Sequence, residues 1–311
     1  MPHVLAAVAG QGLTSVPGAG AVERSVVAGG LPATFLTPDR GAARAAVLLI
    51  AGSGPTDRDG NNAFGVSASY LAKLARALGD AGIASLRYDK RGVPGSIAVE
   101  DEGAITFDTI VDDAARALDW LQAATRGTPL AAIGHSEGGL VALELAARRE
   151  RLSRLVLLAT PGRRPAETLR DQLGRLEEPL RAKALAILAE LEAGGTGADV
   201  PPPLLPLFRP SVQPFVRSLF SLDPAARLRM LGRPTLAVGG GRDIQVGRAD
   251  FDALVAVAGV RALWLETMNH ALAPVDTDDI GDNLAAYADP LAPLAPGLAE
   301  AVASFLLRDA R

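Results

Sequence analysis

Cysteine is absent from all 311 residues, which excludes disulfides, thiolate metal sites and a cysteine nucleophile together. Histidine is almost absent: three residues, His3, His135 and His270, carry every imidazole available. A His-built metal centre is therefore disfavoured, and no carboxylate spacing supplies another, so neither a metal nor a cofactor is expected. Charged residues make up 21% with a net charge of −4, so the broad basic face of a nucleic-acid binder is missing. No apolar run approaches the ~18 to 20 residues of a membrane-spanning helix. The opening stretch MPHVLAAVAGQGLTSVPGAGA lacks the cationic start and sustained apolar core of a signal peptide, which leaves the cytoplasm as the default location.

What is present is a chain that is 49% hydrophobic and long enough to bury a sizeable core. From Ala21 onward, β-rich runs alternate with runs of helical period, the pattern of a mainly parallel sheet flanked by helices. AVERSVVAGG and LPATFLTP read as an opening hairpin, and RAAVLLIAG as a strand buried on both faces. Leu71, Leu74, Ala75 and Leu78 recur at helical spacing in SASYLAKLARALGDAG. IASLRYD precedes FDTIVDDAARALDWLQAAT, a helix for which Asp108 is the expected cap; PLAAIG and RLVLLAT follow as further strands. RPTLAVGGG and VRALWLET supply two more, with the helix FDALVAVAG between them and a last helix in GLAEAVASFLLRDA.

The alternation breaks over residues 161–231, where a helical run precedes PPPLLPLFRPSVQPFVRSLFSLDP. This segment reads as a helical cap inserted between two parts of one core, residues 1–160 and 232–311. Its apolar residues Leu204, Leu205, Leu207, Phe208, Phe215 and Phe220 suit either an acyl pocket or the cap's own core.

The chemistry concentrates in LAAIGHSEGG. Gly134, His135, Ser136, Glu137 and Gly138 form G-x-S-x-G between a strand and a helix, a turn that lifts a serine hydroxyl above a sheet. Side chains two positions either side of Ser136 would collide across so sharp a turn. The serine needs a base: His3 lies in a terminus and His135 is fixed beside the nucleophile, which leaves His270, in the loop after the last strand. An acid must hold that imidazole, and Asp243 stands after the penultimate strand, with Asp276 or Asp278 as fallbacks. The oxyanion of acyl transfer needs two N–H donors. Glu137 N–H at the helix start is one; Ser53 N–H, or Gly54 N–H, in the loop GSGPTDRDGNN is the other. The Glu137 carboxylate, so close by, is expected to disfavour anionic substrates. RYDKRGVPGS packs four charges after a strand, read as ion pairs that fix a turn in preference to substrate recognition. DRDGNN has the wrong glycine position for a calcium loop, and no glycine run has the spacing of a nucleotide fingerprint.

Taken in order, AGSGPTDRDGNN, RYDKRG, GHSEGG, GGGRDIQV and MNHAL resemble the α/β-hydrolase superfamily, and within it the EstD-type carboxylesterases and serine aminopeptidase-like hydrolases of bacteria. The resemblance implies an eight-stranded sheet with a lid, and a serine-esterase triad of Ser136, Asp243 and His270. Many relatives carry histidine before the oxyanion-loop glycine, where this chain has Ala51. The expected activity is hydrolysis of short- to medium-chain carboxylic esters, with a small-molecule ester as partner. An aminopeptidase or amidase, using cap acids such as Glu177, Glu178 or Glu190, and a noncatalytic binder are the alternatives. The sequence does not set the oligomeric state.

Overall fold

The computed structural model describes residues 21–308. His3 and all but the last residue, Ala21, of the stretch read against a signal peptide lie outside the described residues. The first two strands, β1 (Ala21–Ala28) and β2 (Leu31–Pro38), form the expected hairpin, and β2 pairs antiparallel with β4 (Ile83–Tyr88). The rest of the sheet is parallel: β3 (Ala45–Ile50), β5 (Leu130–His135), β6 (Leu152–Leu158), β7 (Thr235–Gly240) and β8 (Val260–Leu265). The spatial order is β1-β2-β4-β3-β5-β6-β7-β8. It places β3 and β5 side by side near the middle, so that the loops leaving their carboxyl ends meet.

Helices cover both faces because the strands are apolar on both. Ala46, Leu48 and Ile50 of β3 join one core cluster, with helices α2 (Phe107–Ala124) and α3 (Glu137–Arg148). Ala45, Val47 and Leu49, the alternate positions, join a second, with α1 (Tyr70–Asp80) and the C-terminal helix Leu298–Leu307. The stripe Leu71, Leu74, Ala75 and Leu78 lies fully buried in that second cluster. Each buried leucine there contributes about 2 kcal/mol of transfer free energy. One local expectation fails: Asp108 sits inside the first turn of α2, and Thr106 precedes the helix as its cap, its N–H donating to Thr109 Oγ1 at 3.2 Å.

Between β6 and β7 the chain leaves the sheet as α4 (Pro165–Leu173), α5 (Leu180–Glu192), the short α6 (Leu205–Phe208), α7 (Gln213–Leu219) and α8 (Pro224–Leu231). The single long helical run read from the sequence is two helices; Pro179, which has no N–H, stands immediately before α5. Leu173, Ile187, Leu188, Leu191, Leu204 and Phe208 form a third cluster, separate from the two that flank the sheet. Leu207 and Phe220 pack against it, whereas Phe215 packs on the main core and Leu205 is exposed. The apolar residues of this segment are thus its own core and its seam. Its near end is fixed by Asp250 in α9 (Arg248–Val255), whose buried carboxylate accepts from Thr168 Oγ1 at 2.7 Å and pairs with Arg163. The remaining helices are α10 (Ile280–Ala288), which the sequence reading did not anticipate, and α11, the C-terminal Leu298–Leu307.

Candidate active site

Ser136 connects β5 directly to α3, with φ 54° and ψ −124°. A non-glycine residue held there is strained, and the strain persists because the surroundings fix it. Both flanking glycines are sterically required: a Cβ on Gly134 would lie 2.2 Å from Gly138 O, and one on Gly138 would lie 2.3 Å from Ile50 O. Gly52, at the end of β3, approaches so closely that its Cβ would stand 3.4 Å from the Ser136 Cβ.

The structure brings His270, expected as base, and Asp243, expected as acid, side by side. His270 Nδ1 and Asp243 Oδ2 are 2.8 Å apart and both side chains are buried. The other carboxylate oxygen accepts from the N–H groups of Gln245 at 2.7 Å and Val246 at 2.8 Å. Asp243 is thereby locked, His270 Nδ1 is occupied, and Nε2 is the ring nitrogen left for a hydroxyl. Of the fallbacks, Asp278 is exposed and pairs with Arg242. Asp276 is exposed as well.

His135 is a strut. Its Nε2 lies 2.8 Å from the His270 carbonyl, which can only accept, so Nε2 carries the proton and Nδ1 accepts from Tyr70 Oη at 3.0 Å. Burial, and then the neighbouring His270 ring, push its pKa well below the usual imidazole range, so the ring is neutral. Burial also pushes Tyr70 and Tyr287 up, Tyr287 further through the nearby Asp243 charge, so both phenols keep their protons.

Ser136 and His270 open onto a cavity of about 90 Å³ walled by Ser53, Thr56, Tyr70 and Tyr287. Its walls come from the loop after β3, the start of α1, the end of β5 with Ser136, the loops after β7 and β8, and α10; no residue of 161–231 lines it. The two sides are laced together, Ser67 N–H and Ala68 N–H donating to Tyr287 O at 2.8 and 3.1 Å. Ser53 lines the cavity and Gly54 does not. Among the described residues, neither the Ser53 N–H nor the Glu137 N–H has an acceptor.

The Glu137 side chain does not behave as expected. It is buried away from solvent and bound at 2.9 Å by Lys90 Nζ, so it presents no free charge to an anionic substrate. The other charges of RYDKRG are paired too: Arg87 with Asp59 and Glu23, Asp89 with Arg58, Arg91 with Asp113. The Arg87–Asp59 and Asp89–Arg58 pairs hold the loop after β3 against the end of β4, while Glu23 and Asp113 tie the same segment to β1 and α2. Tyr70, Tyr287, Gln245 and Lys90 are the site residues that sequence reasoning missed; only Lys90 had a signal, the charge cluster itself. Glu177, Glu178 and Glu190 lie off the cavity, Glu178 pairing with Arg181. Among the described residues no group of three or more His, Asp or Glu is arranged to hold a metal ion, and no helix is long and apolar enough to cross a membrane.

A family model described as serine aminopeptidase, S33, matches residues 63–190. Esterase EstD of Thermotoga maritima is 29% identical over 263 residues, 80% of this chain; the chain spans about 60% of the length of that curated relative. Among solved structures, dienelactone hydrolase from Anabaena variabilis is similar at a TM-score of 0.55 and 19% identity, covering 94% of this chain and 100% of that one. The esterase domain of a Rhodothermus marinus protein matches at 0.51 and 19%, covering 83% and 89%. At these identities the structural likeness is one of fold.

Proposed function

We propose that this chain, similar in fold and in part of its sequence to α/β-hydrolases, hydrolyses carboxylic esters through an acyl-enzyme, with Ser136 as nucleophile, His270 as general base and Asp243 as its orienting acid. The observation that carries this reading is the buried His270–Asp243 pair at 2.8 Å, sharing a cavity with a serine held at φ 54°.

In this mechanism His270 Nε2 takes the Ser136 hydroxyl proton as Oγ attacks the ester carbonyl carbon. The carbonyl oxygen becomes an oxyanion, received by the Ser53 and Glu137 N–H groups. Asp243 stabilises the imidazolium through Nδ1 without taking its proton. Collapse of the intermediate expels the alkoxide, to which His270 returns the proton. Water, deprotonated in turn by His270, attacks the acyl-enzyme carbonyl; the second tetrahedral intermediate collapses, His270 returns the proton to the departing Ser136 Oγ, and the carboxylic acid is released.

The cavity supports a short acyl group: about 90 Å³ is well below the ~300 to 1,000 Å³ of sites that enclose a drug-sized ligand. An ester is favoured over a peptide because no carboxylate lines the cavity to receive a free amino terminus. Residues 161–231 are proposed as a cap that sits on the core without walling the acyl site, and the matched family extends into them.

The test is hydrolysis of p-nitrophenyl esters from acetate to palmitate, beside p-nitroanilides of the same acyl groups, with Ser136→Ala as control. Turnover of acetate and butyrate, falling steeply for longer chains and lost in the variant, is expected. Activity on anilides alone would transfer the protein to the amidases. No turnover and no labelling by a fluorophosphonate would make it a binder.

A further inference from the structure

Lys90 follows β4 and is buried, and its ammonium makes two contacts: Nζ donates to Gly52 O at 2.8 Å and to Glu137 Oε1 at 2.9 Å. Both acceptors belong to the groups that the proposed reaction needs. A trans peptide holds its C=O and N–H on opposite edges of one plane. Gly52 C=O and Ser53 N–H are such a unit, so an ammonium on the carbonyl turns the N–H the other way, toward the cavity that Ser53 lines. The next carbonyl, Ser53 O, is held by Thr56 Oγ1 at 2.8 Å, which stops the loop rotating as a whole. Glu137 supplies the second N–H, and its carboxylate ends on the same nitrogen.

We propose that Lys90 is a positioning residue that sets both oxyanion donors by binding the Gly52 carbonyl and the Glu137 carboxylate with one ammonium, an inference that rests on the ester-hydrolase reading. The ammonium also polarises the Gly52–Ser53 peptide, which strengthens Ser53 N–H as a donor. Residue choice supports the assignment. The chain has three lysines against twenty-eight arginines, so its cations are overwhelmingly arginine, yet this buried one is lysine. A compact ammonium points separate donors at a carbonyl and a carboxylate, where a planar guanidinium demands a fork-shaped acceptor and more room. Arg58, in the loop after β3, and Arg91, next in the chain, each grip one carboxylate with two nitrogens, Asp89 and Asp113 respectively, the fork-shaped site that arginine suits.

Removing Lys90 alone would strand a buried carboxylate and confuse positioning with folding. The informative protein is the double variant Lys90→Met/Glu137→Met, which removes both charges and fills the space. It is expected to melt within a few degrees of the parent and to hydrolyse p-nitrophenyl acetate with KM changed less than about twofold. Its kcat should fall about 100-fold, the order of losing one oxyanion donor. A crystal structure of the variant should show the Gly52–Ser53 peptide turned. A kcat within about threefold of the parent overturns the proposal, as does an equal loss expressed wholly in KM. If the double variant fails to fold, Lys90→Arg takes its place: the charge stays, the compact geometry goes, and unchanged kcat again overturns it. If the parent itself neither turns over esters nor reacts with a fluorophosphonate, the ester reading fails. The peptide orientation in the variant crystal then decides alone, an unturned peptide refuting the role of Lys90.

Discussion

Lowering the pH from 7.5 to 5.0 should destabilise the fold through His135 by about 2 kcal/mol. In the native protein this ring is buried, its Nε2–H is given to the His270 carbonyl and its Nδ1 receives the Tyr70 hydroxyl, so no position is left for a second proton. Burial, then the His270 ring beside it, depress its pKa well below the ordinary value. In the unfolded chain the same ring titrates near 6.5. Below that pH the unfolded state binds a proton that the native state refuses, so stability rises with pH up to about 6.5 and is flat above. The slope on the acid side approaches about 1.4 kcal/mol per pH unit, which integrates to about 2 kcal/mol by pH 5.0. Urea unfolding of the parent and of His135→Gln at pH 5.0, 6.0 and 7.5 isolates the effect, because every carboxylate is common to both. The substituted amide keeps an N–H donor and cannot titrate, so the parent's advantage at pH 7.5 should shrink by about 2 kcal/mol at pH 5.0. A difference that stays constant across the three pH values would refute the buried neutral ring.

Three further outcomes follow from the geometry. Asp243→Asn should keep the fold, since the amide still fills the site, but lower kcat by about 10,000-fold with little change in KM, because the His270 tautomer is no longer enforced; steady-state kinetics on p-nitrophenyl acetate checks it. Gly138→Ala would press a methyl against the Ile50 carbonyl and should cost about 3 kcal/mol, read as a lowered urea midpoint. Phe208→Ala, in the separate cluster of the inserted helices, should cost about 3 to 5 kcal/mol, expressed locally. Hydrogen exchange should accelerate across α4 to α7 while β3 and β5 keep their protection.

The strands and α1 were legible because their burial follows the periods that sequence displays: continuous apolar runs in β3 and β5, a stripe at helical spacing in α1. The elbow was legible because its glycines answer a steric demand local to five residues. α10 was not, and the reason is physical. It buries Asn283 and Tyr287 while exposing Ile280 and Leu284, so its hydrophobic pattern points away from the protein. The residue that walls the cavity from that helix was hidden with it. The fixing of Gly52 and Glu137 by Lys90 was equally illegible, since it joins residues 38 and 47 positions apart and depends on where three strands end. Whether the apolar residues of 161–231 line the acyl site was undecidable from composition, because a small helical core and a lipophilic pocket use the same side chains.

The sheet order carries a consequence for how the protein is made. Ser136 stands at the end of β5 in the interior of the sheet, whereas Asp243 and His270 follow β7 and β8, the last two strands at one edge. A chain leaving the ribosome can therefore finish six strands and the elbow while neither acid nor base has yet been translated. In the proposed mechanism, the Ser136 hydroxyl has no base to surrender its proton to until the edge strands dock. On the proposed mechanism, reactivity is withheld from nascent chains and from forms truncated before His270, and arrives only with the closing quarter of the polypeptide.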